Sequence, residues 1–313
     1  MIFLPLPLTL VRIFSGPKDI AEATCLSPVQ KIMFTNTIIG FIGAGNMAEA
    51  MIKGILRREL VPPQSIFAAD PREDRLAYLA EKYGIRTSTD NHQVTQAAKI
   101  LVLSIKPQVL PKVMKRIRGE VQPDALVLSI IAGARISVIT AGLEHQAMVR
   151  AMPNTPGQFG EGMTVWTTTP AVSSQQQQQA RQILQALGQE IWMDDEGYLD
   201  MATALSGTGP AYVFLFIESL IDAGVHMGFS RHIAEKMVIQ TIKGAVTVVE
   251  ELGRHPATLR NMVTSPGGTS ASAIYELEKG GFRTILSKAV FAAYQRSADL
   301  GDASEAKMAE TKP

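Results

Sequence analysis

Ile38-Ile39-Gly40-Phe41-Ile42-Gly43-Ala44-Gly45-Asn46-Met47-Ala48 is the stretch that decides how the rest of the chain is read. Four of its first five residues are apolar, as in a strand buried on both faces of a parallel sheet. Gly43-x-Gly45-x-x-Ala48 then turns the chain into an apolar-periodic segment, Met47 to Leu56, that reads as a helix. Small residues are needed there for separate reasons. Gly43 permits a tight turn, Gly45 lets a pyrophosphate approach the backbone, and Ala48 lets helix and strand pack closely. The first N–H groups of the helix, around Asn46 and Met47, then face the phosphates. Gly43, Gly45, Asn46, Met47 and Ala48 are therefore expected to bind a dinucleotide.

Downstream, the pattern of strand and helix repeats. Ser65–Ala69 reads as a second buried strand ending at Asp70, about the distance at which a carboxylate meets an adenosine ribose. Arg72 and Arg75 follow, either of them suited to a ribose 2′-phosphate. A helix through Leu76, Leu79 and Tyr83 closes at Gly84, and Asp90 caps a short one to Ala98. Ile100–Ser104 is a buried strand with Lys106-Pro107 just past its end. Further helices are expected over Val109–Ile117 and Ile136–Ala141, with strands at Ala125–Ile131 and Ala147–Arg150. The loop Met152-Pro153-Asn154-Thr155-Pro156-Gly157 lies beyond the carboxyl end of the last of these, where ligands sit in such sheets. A strand at Met163–Thr167, a helix from Ser173 with the run Gln175–Gln179 as a solvated face, and a strand at Gln189–Met193 complete the half. This is the alternation of a doubly wound parallel sheet, α/β in class.

From Tyr198 onward the strands stop. Pro210 falls in the first turn of a helix, Ala211 to Val225, that is apolar almost all round. Glu218 and Asp222 share one face of it as a polar edge, and with the helix's length they argue against a membrane span. Ser230 caps a longer helix, Arg231 to Leu252, with a broad apolar stripe. Two helices with more apolar surface than a small domain covers imply a subunit interface. Thr264 to Ser272 is rich in glycine and hydroxyls, and helices at Ala273–Lys279 and Thr284–Leu300 finish the fold, with a frayed tail after Asp302. The expected domains are a weakly ordered extension over 1–36, a cofactor-binding domain over 37–195 and a helical substrate and dimerisation domain over 196–313. Residues 1–32 read as dispensable.

Composition narrows the function classes. With 46% apolar and 19% charged residues the 313-residue chain is globular. A net charge of +1 gives no basic footprint for nucleic acid. Cys25 is the only cysteine, so no disulfide framework is expected and the cytoplasm is the default compartment. His92, His145, His226, His232 and His255 lack ligand spacing, so no metal site is expected.

In order along the chain, GFIGAGNMA, SIKP, RAMPNTP, SGTGPAY and VTSPGGTS resemble the pyrroline-5-carboxylate reductase family over about residues 37–300. The resemblance implies a Rossmann domain followed by an all-α domain that interlaces with a partner, in a homodimer or a larger ring of dimers. It implies hydride transfer from NAD(P)H, with NADPH preferred and NADH possible, to the imine of 1-pyrroline-5-carboxylate, giving L-proline. By the same likeness Ser104, Lys106 and Pro107 line the cofactor pocket beside Asp70 and Arg72, and Asn154 contacts the nicotinamide half. Ser206, Gly207 and Thr208 form part of the substrate end. A substrate carboxylate needs donors, and Ser265, Gly267, Gly268, Thr269 and Ser270 supply hydroxyls and backbone N–H groups. The resemblance places the Ser270 hydroxyl at the imine nitrogen as the catalytic donor. Ser270 stands where the family often has threonine, and SGTGPAY replaces the usual SGSGPAY. The alternatives are another imine reductase or a β-hydroxyacid dehydrogenase, for which Lys236 and Lys243 are the candidate lysines, and a dinucleotide-binding regulator without turnover.

Overall fold

A computed structural model describes residues 33–310; the expectations for 1–32 lie outside the described residues. Ile217–Leu277 form one compact unit, and the described residues up to Phe216 and from Glu278 onward form the other.

The larger unit is built on an eight-stranded sheet. Its strands are β1 (Ile39–Ile42), β2 (Ile66–Ala69), β3 (Arg86–Ser88), β4 (Ile100–Leu103), β5 (Leu126–Ser129), β6 (Met148–Met152), β7 (Gly162–Thr168) and β8 (Gly188–Trp192). They lie in the order β3-β2-β1-β4-β5-β6-β7-β8. Every neighbouring pair is parallel except β6 and β7. The order reverses between β1 and β4, which opens the crevice where doubly wound sheets bind ligands. Helices α1 (Asn46–Arg57), α2 (Glu73–Tyr83), α3 (Asn91–Ala97), α4 (Leu110–Ile117), α5 (Ile136–Leu143) and α6 (Ser174–Gln185) accompany the strands. Alternate strand residues feed two cores. Ile100 and Val102 join Met51, Ile55 and Leu79 on one face, while Leu101 and Leu103 join Leu110, Ile117 and Ile139 on the other. Burial on both faces is why these strands read as unbroken apolar runs.

Several expectations are revised. The edge strand β3, Arg-Thr-Ser, has no apolar residue to announce it. Gln179 of the glutamine run is buried and donates to the Met33 carbonyl at 2.8 Å, although Gln175 and Gln178 are solvated. Phe34, placed by sequence in a weakly ordered extension, is 4% exposed and packed in the core. After β8 come α7 (Tyr198–Ala202) and a π-helical turn, Thr203–Gly207, neither of them anticipated. The final helix, α12 (Phe282–Glu310), runs past the point where fraying was expected. Arg135 holds its Asp302 at 2.7 Å, and the Ser137 hydroxyl donates to Glu305 at 2.7 Å.

Helix α8 (Gly209–His226) leads from the larger unit into the smaller one, which continues with α9 (Arg231–Leu252), α10 (Pro256–Met262) and α11 (Thr269–Lys279). Helix α10 was unexpected, and α11 begins four residues earlier than read, so Thr269 and Ser270 sit in its first turn. Ser230 precedes α9 as anticipated but makes no side-chain cap. Asp222 is ion-paired with Arg231 at 2.7 Å. Apart from Ala234, α9 is not buried; Ile233, Met237, Val246 and Val249 are all at least 40% exposed. The stretch Tyr198–His226 is long and apolar enough to cross a membrane by length and composition. Glu218 and Asp222 therefore do not exclude a span on those grounds.

Candidate active site

The glycine turn sits at the carboxyl end of β1. Gly43 donates to the Ala69 carbonyl at 2.8 Å and has φ +95°, in the region that favours glycine. A Cβ there would lie 2.8 Å from the Ser104 carbonyl oxygen and 2.7 Å from Ile105. Gly45 caps α1 in an extended conformation, and a Cβ added to it would meet nothing within 4 Å. That open space beside a helix N-terminus is what a phosphate needs to reach the free N–H groups of the first turn. The residues present therefore fit a dinucleotide. Ala48 is buried, while Asn46 and Met47 are not. From β4, the Ser104 hydroxyl donates to the Gly43 carbonyl at 2.7 Å and steadies the turn from the other side. Lys106 is exposed next to Pro107, which opens a short 3-10 turn.

Asp70, at the end of β2, is 6% exposed. Its carboxylate accepts from the Ala44 N–H at 2.9 Å, from the Arg72 N–H at 3.1 Å and from the Arg72 guanidinium at 2.8 and 3.1 Å. Burial raises its pKa, but the bonds from Arg72 and Ala44 outweigh this and hold it below the ordinary carboxylate range. Both oxygens are thus engaged with the protein rather than presented free to a ribose. The Arg72 side chain remains 57% exposed over them. Arg75 is turned elsewhere: Nε donates to the Ala44 carbonyl at 2.7 Å, and Nη2 to the Glu49 carboxylate at 2.6 Å. The Arg75 guanidinium is thus turned inward to the glycine turn and Glu49, while that of Arg72, paired with Asp70, stays exposed.

Asn154, just past β6, joins two elements. Its Nδ2 donates to the Ser206 carbonyl at 3.0 Å, and its Oδ1 accepts from the Met163 N–H at 2.9 Å. The side chain expected on the nicotinamide thus fastens the π-helical turn to the sheet. Ser206 Oγ in that turn donates to the Ala202 carbonyl, and Thr208 Oγ1 just after it donates to the Thr203 carbonyl. Gly207 lies against Met152, 3.1 Å from where its Cβ would be. π-Helical turns recur at functional sites. A buried polar group overlooked in the sequence supports this one. Arg150, 3% exposed in β6, pairs with Glu196 at 2.5 Å, and Asp200 accepts from the Ser297 hydroxyl at 2.7 Å. A lone arginine inside the apolar run Met148–Met152 was the available signal.

The hydroxyl-rich turn belongs to the smaller unit. Ser265-Pro266-Gly267-Gly268 is closed by the Gly268 N–H donating to the Ser265 carbonyl at 3.1 Å, with Gly267 at φ +71°. Proline second and a positive-φ glycine third are the residues such a turn demands. Thr269 and Ser270 follow in the first turn of α11, so the N–H groups left free there stand beside three hydroxyls. Ser265 and Thr269 are exposed and Ser270 is half-buried. Among the described residues no group of three or more His, Cys, Asp or Glu is arranged to hold a metal ion.

Two family models match the chain. That for pyrroline-5-carboxylate reductase dimerisation covers residues 196–300, and one described as NADP oxidoreductase, coenzyme F420-dependent, covers 38–133. A pyrroline-5-carboxylate reductase of Synechocystis is 40% identical over 263 residues, covering 84% of this chain and 98% of the relative. That of Pseudomonas aeruginosa is 39% identical over 265 residues, covering 84% and 97%. The crystal structure of Plasmodium falciparum pyrroline carboxylate reductase with NADP bound superposes with a TM-score of 0.78 at 33% identity, covering 85% of this chain and 98% of that one. The Coxiella burnetii enzyme gives 0.77 at 36%, with the same coverage.

Proposed function

The chain belongs to the pyrroline-5-carboxylate reductase family, and from that premise we propose that it reduces 1-pyrroline-5-carboxylate to L-proline in proline biosynthesis, with NADPH as the favoured reductant. The observation that carries the reading is sequence shared across nearly the full length of the relatives, with the two family models spanning the glycine turn and the hydroxyl-rich turn. When bound, NADPH supplies the hydride that the imine carbon receives. The chain's own residues bind, orient and protonate. The first turn of α1 takes the pyrophosphate, and Ser104, Lys106 and Pro107 line the pocket beyond it. Arg72 takes the 2′-phosphate, and NADH is the weaker alternative because it lacks the phosphate that the exposed side of the Asp70-paired guanidinium would contact.

At the substrate end the Ser265–Ser270 turn takes the carboxylate, supported by its free N–H groups and hydroxyls. Ser206, Gly207 and Thr208 bound the ring. The imine nitrogen gains a proton as the hydride arrives, and the Ser270 hydroxyl is the donor we assign to it, a role the family likeness supports. Asn154 acts on the nicotinamide side through the π-helical turn that it fastens.

We assign residues 37–195 to cofactor binding and 196–313 to substrate binding and dimerisation, a division supported by where the two family models fall. The chain forms a homodimer through α8 and α9, whose exposed apolar residues fit such a surface better than a lipid one given the dimerisation match. A ring of dimers is the larger assembly we propose, in the cytoplasm. Light scattering should give at least twice the monomer mass at micromolar concentration; a stable monomer there contradicts this part.

The reaction is tested by supplying the purified chain with NADPH or NADH and 1-pyrroline-5-carboxylate, and separately with NADP and 3-hydroxy acids. Oxidation of NADPH with the imine, and no turnover of the hydroxy acids, is expected. The reverse pattern would transfer the chain to the hydroxyacid dehydrogenases.

A further inference from the structure

The glycine turn is the most pliable backbone in the cofactor site, yet three successive peptide groups in it are held from outside. The Ala44 N–H is held by Asp70 at 2.9 Å. The Ala44 carbonyl accepts from Arg75 Nε at 2.7 Å. The Gly45 carbonyl accepts from the Glu49 N–H at 3.0 Å and from Arg75 Nη2 at 3.4 Å. In a trans peptide the carbonyl and the following N–H point in opposite directions. Fixing the Ala44 carbonyl therefore aims the Gly45 N–H, and fixing the Gly45 carbonyl aims the Asn46 N–H, each away from Arg75.

Arg75 is itself secured. Its Nη2 bonds one oxygen of Glu49 at 2.6 Å. The other oxygen accepts from Lys82 at 3.0 Å, Tyr83 at 2.8 Å and Tyr78 at 3.2 Å. Lys82 also touches the Tyr78 hydroxyl. The Arg75 and Glu49 side chains are 16% and 18% exposed, against 57% for Arg72. Glu49 stands in the first turn of α1, where an unpaired carboxylate would compete with the incoming phosphates for the same N–H field. Two cations, Arg75 and Lys82, neutralise it.

We propose that Arg75 is the positioning residue of the pyrophosphate turn: it aims the Gly45 and Asn46 N–H groups at the phosphates by holding the carbonyls behind them, and Glu49 with Tyr78, Lys82 and Tyr83 holds Arg75. It touches no part of the cofactor that separates NADPH from NADH. The inference rests on the cofactor assignment above and goes beyond it by dividing labour between two arginines three residues apart. Arg72 discriminates; Arg75 shapes.

Titrating the full chain with NADPH and with NADH by nucleotide fluorescence tests this without turnover. Arg75→Ala should weaken both cofactors by a common factor of roughly tenfold, the worth of one lost charge-assisted hydrogen bond. The ratio of the two affinities should stay within about threefold of wild type on that scale. Arg75→Lys keeps the charge but loses the fork that spans two carbonyls and a carboxylate, so it too should weaken both, by less. Arg72→Ala should move the ratio instead. A ratio altered by more than about threefold in Arg75→Ala would put Arg75 on the 2′-phosphate and overturn the proposal. So would unchanged affinity for both cofactors in Arg75→Ala or, should that variant melt before titration, in Arg75→Lys. A wild-type chain that binds neither nucleotide would refute the cofactor assignment itself, a separate outcome.

Discussion

The two turns that carry the chemistry are built in opposite ways. The glycine turn at the end of β1 is enclosed by its own fold. Asp70 and Ser104 each hold one of its backbone groups and Arg75 holds two, and the strand beneath it is fully buried. The turn Ser265–Ser270 stands on helices whose apolar residues stay exposed, and its own Gly268 to Ser265 bond closes it. The first turn is complete within one chain, as a rigid cofactor site requires. The second belongs to a unit whose exposed apolar residues fit the dimerisation match.

If the glycine turn is preformed, filling its open side should remove binding without harming the fold. Gly45 has φ −71°, which any residue adopts, and a Cβ there meets nothing. Gly45→Val should therefore keep a melting temperature close to wild type while weakening NADPH by roughly 100-fold or more, about 2.7 kcal/mol. A valine variant that binds NADPH normally would mean the phosphates lie elsewhere.

In the other turn the expected effect is on chemistry rather than cofactor affinity. A donor that strengthens its bond as the imine nitrogen gains its proton acts on the transition state. Ser270→Ala should lower kcat/KM by roughly 5- to 150-fold, about 1–3 kcal/mol, with little change in KM for NADPH. Ser270→Thr should restore activity. Activity within about twofold of wild type in the alanine variant would assign the proton to water.

Cofactor choice should respond more weakly. Arg72→Ala should reduce the preference for NADPH over NADH by about tenfold, as one exposed charge-assisted contact warrants. Equal kcat/KM losses for both cofactors would take Arg72 off the 2′-phosphate.

The smallest effect is on acid stability. Partial burial raises the Glu49 pKa, yet the bonds from Arg75, Lys82 and Tyr83 outweigh it and bring the value down from 4.5 to about 2. A folded-state value below the unfolded one stabilises the fold where the group is ionised in both states. That contribution is present above about 4.5 and is lost as the pH falls through about 2. Glu49→Gln should lower the melting temperature at neutral pH and narrow its gap to wild type as acid is added. A gap that does not narrow would place the contribution outside this carboxylate.

The sheet was legible because strands buried on both faces leave apolar runs such as Ile100-Leu101-Val102-Leu103. The glycine turn was legible because its spacing is set by backbone geometry. Direction was not. Asp70, Arg72 and Arg75 lie where ribose and phosphate ligands are expected, but spacing alone does not show that Asp70 is spent on Ala44 and Arg72, or that Arg75 faces the turn's carbonyls. Asn154 was assigned to the cofactor by likeness, whereas its amide ties β7 to the π-helical turn. That turn was invisible because Thr203–Gly207, Thr-Ala-Leu-Ser-Gly, is too short and too polar to display any helical period. The short α10 was signalled only by Pro256 at its start, and Arg150 only by being charged in an apolar strand.

The most direct test of the central claim is a single stoichiometry. Folded chain given 1-pyrroline-5-carboxylate and excess NADPH should form one L-proline for each NADPH oxidised, with proline identified by chromatography. Folded protein that binds NADPH yet forms no proline from the imine would contradict the account.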